Sequence, residues 1–192
     1  TNGPLAQKWR GKGTVRQVYL NYPAADPHTL QNTPMSSLLF DSTMPSTEYF
    51  DSAALGAKKL IALLNTEKKQ CPKEWVVLAG FSQGSQAITQ ALAQTDTPQR
   101  LAGAILVGNP DHYPGQNVQE AYPETYSVCM KGDPVCDTAP ALTRILTLQS
   151  TWQDELNQGR PIHMGYTRTV MEGALDRIAQ RINAIGAAEA KG

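Results

Sequence analysis

Gly80-Phe81-Ser82-Gln83-Gly84 is the stretch of the chain whose residue types and spacing point most directly to chemistry. It matches G-x-S-x-G, in which a serine sits on a sharp turn between a strand and a helix. The flanks suit that context. Trp75–Ala79 is a short apolar run, as in a strand covered on both faces, and Ser85–Ala93 is patterned as a helix. Gly80 and Gly84 let neighbouring backbone approach the turn. The helix N-terminus lends positive potential to a developing oxyanion, and the amide of Gln83 is its expected first donor. Ser82 is therefore read as a nucleophile; the plainer alternative is a loop serine capping a helix.

A serine nucleophile needs a general base, and the base needs an orienting carboxylate. The chain has three histidines. His28 lies in a long loop before the serine, and His112 follows the third predicted strand. His163, in "RPIHMGY", precedes the last helix. The order Ser, Asp, His expected of hydrolase-like sheets favours His163, which alone leaves room for a further strand and an acid before it. Two carboxylates compete for the acid's role. Asp133 lies inside "CMKGDPVC" and follows a glycine, so it is favoured; Asp137, just outside, is a rival that also suits a helix N-cap before "TAPALTRIL". Cys129 and Cys136 flank that loop and could close a small ring, with two buried free thiols as the alternative. Their spacing lacks the tight pair of a metal site, and the chemistry calls for no metal and no cofactor. Cys71 is left over.

The elements that must position these groups alternate. Thr14–Pro23 reads as a strand, and Ala24–Thr47 as a long loop. Asp51–Leu64 reads as a helix, Leu101–Pro110 as a strand halted by Gly-Asn-Pro, and Thr125–Met130 as a further strand. Met171 to Ile185 keeps the spacing of a C-terminal amphipathic helix. Leu142, Ile145, Leu146 and Trp152 suggest another helix between Pro140 and Pro161, either walling an acyl pocket or packing its own apolar face. Met35–Phe40 is either an apolar rim or core. This order implies an α/β fold: a three-layer sandwich with a mainly parallel central sheet, helices on both faces, and ligands beyond the strands' carboxyl ends.

At 192 residues, 41% of them hydrophobic, one domain spanning 1–192 suffices. Seventeen basic residues balance 17 acidic ones, so nothing suggests electrostatic capture of nucleic acid or an anionic membrane. No apolar run approaches the ~20 residues of a membrane span, so no stable membrane insertion is expected.

Taken together, "GFSQGS" after "CPKEWVVLA", then "LVGNPDH", then "CMKGDPVCD" and a later histidine resemble the cutinases and cutinase-like serine esterases. "NYPAA" at Asn21 is similar to the same family's second strand region. The resemblance runs from about Val15 onward and is densest between Cys71 and Asp137. It implies a small lidless α/β hydrolase, usually secreted, acting without cofactor on carboxylic esters of lipids, cutin or polyesters. Carried over by position, Ser82 is the nucleophile, Asp133 the acid, and Cys129–Cys136 a disulfide.

Two departures qualify that match. Family members normally begin with an earlier strand whose loop gives the second oxyanion donor and whose cysteine bonds the equivalent of Cys71. Here the sequence opens at "TNGPLA", so Thr1 takes the donor's position, and an upstream segment linked to Cys71 is expected. The interval from Asp133 to His163 is also longer than in compact members. A mycolyl-arabinogalactan lytic esterase or an acyltransferase on the same fold would suit the motifs too, as would a non-catalytic binding protein if the first strand were truly absent.

Overall fold

The computed structural model describes residues 7, 13–26, 29, 48–94, 100–112, 122 and 124–189. Helix α1 (Glu48–Gln70) leads into strand β1 (Val76–Phe81), which turns at Ser82 into α2 (Gln83–Gln94). Strands β2 (Leu101–Val107) and β3 (Thr125–Val128) come next, then α3 (Thr138–Leu146), α4 (Trp152–His163) and α5 (Arg168–Glu189). The strands form one parallel sheet in the order β1-β2-β3. This is the expected α/β architecture.

Alternation along the central strand assigns the two faces. Ala104 and Leu106 of β2 point toward Ala57, Leu60 and Leu64 of α1 and Ile88, Ala91 and Leu92 of α2. Ile105 and Val107 point the other way, toward Leu175 and Ile178 of α5. Every residue of β2 is buried, as a strand covered on both faces requires. The register pairs Phe81 with Val107 and Val107 with Val128, so all three strands end at one level. The backbone leaving the three strands therefore emerges at one end of the sheet.

Two elements differ from the sequence reading. Thr14–Pro23 is not a strand of the sheet: among the described residues its backbone pairs with none, and Val15, Val18 and Tyr19 are exposed, Tyr19 by 72%. Strand propensity is a preference for a pleated, packed surface, and without a neighbouring strand it has nothing to act on. The segment runs beside α1 instead. Arg16 bonds Glu67 and Glu74 (2.7 Å to Glu74), and Lys59 donates to the Asn21 carbonyl (2.9 Å). The helix expected between Pro140 and Pro161 is two helices, broken at 147–151. Pro140 lies in the first turn of α3, where its missing N–H costs no bond, and Thr151 starts α4 with a capping box to Asp154. Pro161 lies within the last turn of α4 rather than ending it. Met35–Phe40 lies outside the described residues.

Candidate active site

Ser82 occupies the β1–α2 turn with φ +52°, a left-handed conformation that side chains rarely adopt. The turn is tied on both sides. The Ser82 N–H donates to the Val107 carbonyl (2.8 Å), and its own carbonyl accepts from Ser85 N (2.9 Å) and Gln86 N (3.2 Å). The buried Ser85 hydroxyl donates to the Val107 carbonyl (3.0 Å) and accepts the Val107 amide (2.9 Å), stapling α2 to the end of β2. Gly80 permits the close crossing: a Cβ there would lie 2.6 Å from backbone atoms of Gly84 and Ser85.

Gln83 is buried, and its side chain bonds away from the turn. Its Oε1 accepts from the Ala25 amide (3.1 Å) and the Ser52 hydroxyl (3.0 Å), while Nε2 donates to the Tyr49 carbonyl (3.0 Å). That ties the residues after the Arg16–Tyr22 segment to the start of α1. The Gln83 backbone N–H takes no part in these bonds. Thr1, the expected second donor, lies outside the described residues, as does His28.

Across the end of β2, Asp133 and His163 meet. Asp133 is fully buried. His163 Nδ1 lies 2.8 Å from Asp133 Oδ2 and 3.1 Å from Oδ1. The Val135 amide donates to Oδ1 (2.9 Å), and the Tyr166 hydroxyl donates to Oδ2 (2.7 Å). Burial pushes the carboxyl's pKa up, but the hydrogen bonds from His163, Val135 and Tyr166 outweigh it and hold Asp133 below the usual value. A carboxylate kept ionised against Nδ1 fixes the proton on that nitrogen, leaving the Nε2 lone pair free. Asp137 does not reach the histidine: its Oδ2 accepts the Gly132 amide (2.8 Å), and it stands at the N-cap of α3 without a side-chain bond to the helix. His112 is exposed, its amide bonded to the Asn109 carbonyl (3.0 Å).

Two glycines let these elements converge. Gly108 comes directly after β2 with φ +56°, and a Cβ there would sit 3.0 Å from the His163 ring and 3.4 Å from Asp133 Oδ2. Since Ser82 bonds the carbonyl of Val107, the residue just before, the serine turn and the Asp133–His163 pair flank the same short piece of backbone. Gly159 lets α4 pack onto the acid loop: its Cβ would lie 2.3 Å from Pro134 Cδ. The loop is closed by a disulfide between Cys129 and Cys136, with Cα atoms 5.9 Å apart. Phe81 stacks on the His163 ring (4.9 Å between centroids, 26°), while Tyr166 meets it edge-on at 6.3 Å.

Sequence pattern does not single out Tyr166, Ser85 or Gly159 as site residues. Tyr166 carries a faint signal, a hydroxyl-bearing aromatic three residues after the histidine; the other two carry none. Among the described residues, the one group able to offer three metal ligands is Glu67, Cys71 and Glu74, and Arg16 already bonds both of its carboxylates. Cys71 is a free thiol.

A profile of the cutinase family matches residues 5–182. The chain is 34% identical over 88 residues to Cutinase 4 of Emericella nidulans, a stretch covering 44% of this chain and 38% of that protein. It is 32% identical over 84 residues to the cutinase of Monilinia fructicola, covering 42% and 41%. The matched stretch thus spans about two-fifths of the length of these relatives. Among solved structures, a cutinase-like protein from Cryptococcus sp. aligns with TM-score 0.46 and 25% identity over 69% of this chain and 75% of that one. Trichoderma reesei cutinase in complex with a phosphonate inhibitor aligns with TM-score 0.44 and 18% identity, over 72% and 56%. With the family profile spanning most of its length, the chain belongs to the cutinase family.

Proposed function

We propose that this chain is a single-domain serine esterase cleaving carboxylic esters of cutin, lipid or polyester type through an acyl-enzyme. The observation that carries the reading is the buried Asp133–His163 pair at the end of β2, beside a serine held at φ +52°. Ser82 Oγ attacks the ester carbonyl while His163 Nε2 accepts its proton. Asp133 holds the ring and stabilises the imidazolium, and the Gln83 amide at the N-terminus of α2 receives the negative oxygen, with the Thr1 region as second donor. The imidazolium then protonates the leaving alcohol, and water, activated by the same nitrogen, releases the acid.

The disulfide around Asp133 and the family both support secretion as the setting. No helix among the described residues is long and apolar enough to cross a membrane. The outer edge of β1 pairs with no described residue. That supports an extended segment from elsewhere in the polypeptide pairing with this edge, and the free thiol of Cys71 is available to bond such a segment.

The test is hydrolysis of short- and long-chain p-nitrophenyl esters by the protein and by Ser82→Ala. A fall in kcat of roughly 10⁴-fold or more in the variant is expected. Equal rates from both proteins would refute the assignment.

A further inference from the structure

The acid's carboxylate has a third donor that the Ser-His-Asp scheme leaves without a role. Resting on the reading of Asp133 and His163 as acid and base, we propose that the Tyr166 hydroxyl is a positioning residue: it fixes the Asp133 carboxylate plane and sets how strongly Asp133 holds His163.

The geometry is that of a two-point clamp. Val135 N–H fixes Oδ1 at 2.9 Å, and the Tyr166 hydroxyl fixes Oδ2 at 2.7 Å. The terminal torsion of an aspartate is broad and two-fold, so one anchor would leave the carboxylate free to swing. With both, the oxygen facing His163 Nδ1 at 2.8 Å has one allowed position. The hydroxyl is itself oriented. It accepts the Met130 amide (2.9 Å) and lies 3.3 Å from Cys136 Sγ, so its proton is directed at Asp133. Tyr166 thereby ties both ends of the disulfide-closed loop to the start of α5, and its ring edge packs on Phe81 (5.9 Å) and on His163.

Sharing Oδ2 between two donors has an electronic consequence. A hydrogen bond from Tyr166 disperses the negative charge that would otherwise fall wholly on His163. Removing it strengthens the pull on the imidazolium, so the histidine releases its proton less readily. Asp133 and His163 are the titratable groups that Tyr166 faces among the described residues. The burial of the phenol and the adjacent carboxylate both raise its own pKa, so it remains a donor through the working range; its bond from the Met130 amide opposes them only in part.

Tyr166→Phe keeps the ring and deletes the clamp. A roughly tenfold drop in kcat with KM nearly unchanged is expected, from loss of one hydrogen bond to a charged group. The acid limb of the kcat/KM profile should move to higher pH by about half a unit. Replacing Tyr166 with 3-fluorotyrosine, a stronger donor of nearly the same size, should move the limb to lower pH. This second variant serves also if the phenylalanine form does not fold. A readout independent of turnover is the downfield proton resonance of His163 Nδ1, assigned by its loss in His163→Ala, whose titration should shift in the same two directions. If both variants keep the wild-type pH profile and resonance, the proposal is overturned, even where stability falls. If the wild type shows no Ser82-dependent turnover but the resonance responds in both directions, the esterase reading fails and the Tyr166 coupling stands.

Discussion

Two carboxylates end up interior at the same end of the sheet, and they are treated oppositely. Asp133, on the β3 side, has three donors and is held below the usual carboxylate range despite complete burial. Asp111, after β2 on the α1–α2 side, receives one side-chain bond among the described residues, from Gln86 Nε2 (3.0 Å), and burial pushes it up to about 6. The acid with three aimed donors is held low and the acid with one is pushed up, as hydrogen bonds to the charged form oppose the cost of burial. Asp133 is built to be ionised. Asp111 is tolerated: beside it the Gln86 Oε1 is buried with no partner among the described residues, the mark of a polar cluster left incomplete.

The largest effect should come from drawing a donor away from Asp133 without altering the acid itself. Gly159→Ala places a methyl 2.3 Å from the rigid Pro134 ring, so α4 must lift from the acid loop and take His163 with it. A destabilisation of about 2 kcal/mol is expected, as for other overpacked contacts. Esterase turnover should fall by more than that stability loss explains. Thermal melts and kcat measured below the melting transition check this together. Turnover equal to wild type would mean the close α4–loop contact does not set the His163–Asp133 distance.

An effect on stability alone, without the loss of turnover, and shaped by pH is expected at Asp111. Its folded pKa of about 6 lies above the unfolded value near 4, so between them the native state binds more protons. Stability from this group is therefore present below pH ~4 and is lost as pH rises toward 6. Asp111→Asn removes the penalty. It should stabilise the protein at pH 7–8 by on the order of 2 kcal/mol, with the gain vanishing near pH 4. Denaturant midpoints measured across that range decide it. Asp133 carries the opposite sign: its contribution is present above pH ~4 and disappears as pH falls through its depressed pKa.

The smallest effect should belong to the carboxylates at the far, exposed end. Glu67 is held low chiefly by its hydrogen bond to Arg16, which also bonds Glu74, yet the guanidinium is open to water. Arg16→Ala should leave the melting temperature within experimental error, because solvent screens such pairs. A clear loss of stability would mean the Arg16–Tyr22 segment depends on that single contact.

Most of the fold and part of the site are legible in the residues. The G-x-S-x-G turn, the apolar run of β2 and the periodicity of α1, α2 and α5 are local patterns, and each is specified by residues close in sequence. The choice of Asp133 over Asp137 is legible only as a preference. It turns on which of two nearby carboxylates faces a helix end 26–30 positions further on, and chain order cannot express direction. Thr14–Pro23 misleads because a strand is a pairing, and the pattern of one segment cannot supply its neighbour.

The sequence by itself determined the types of chemical group and the order in which a parallel sheet presents them, since both depend on short-range pattern. Only the tertiary structure decided which donors reach which carboxylate. Tyr166 and His163 reach Asp133 because Gly108 and Gly159 let backbones approach within a methyl's width, whereas Asp111 has one side-chain partner among the described residues. Hydrogen bonds form over about 3 Å between residues dozens of positions apart. That proximity is a property of packing, and no local spacing encodes it.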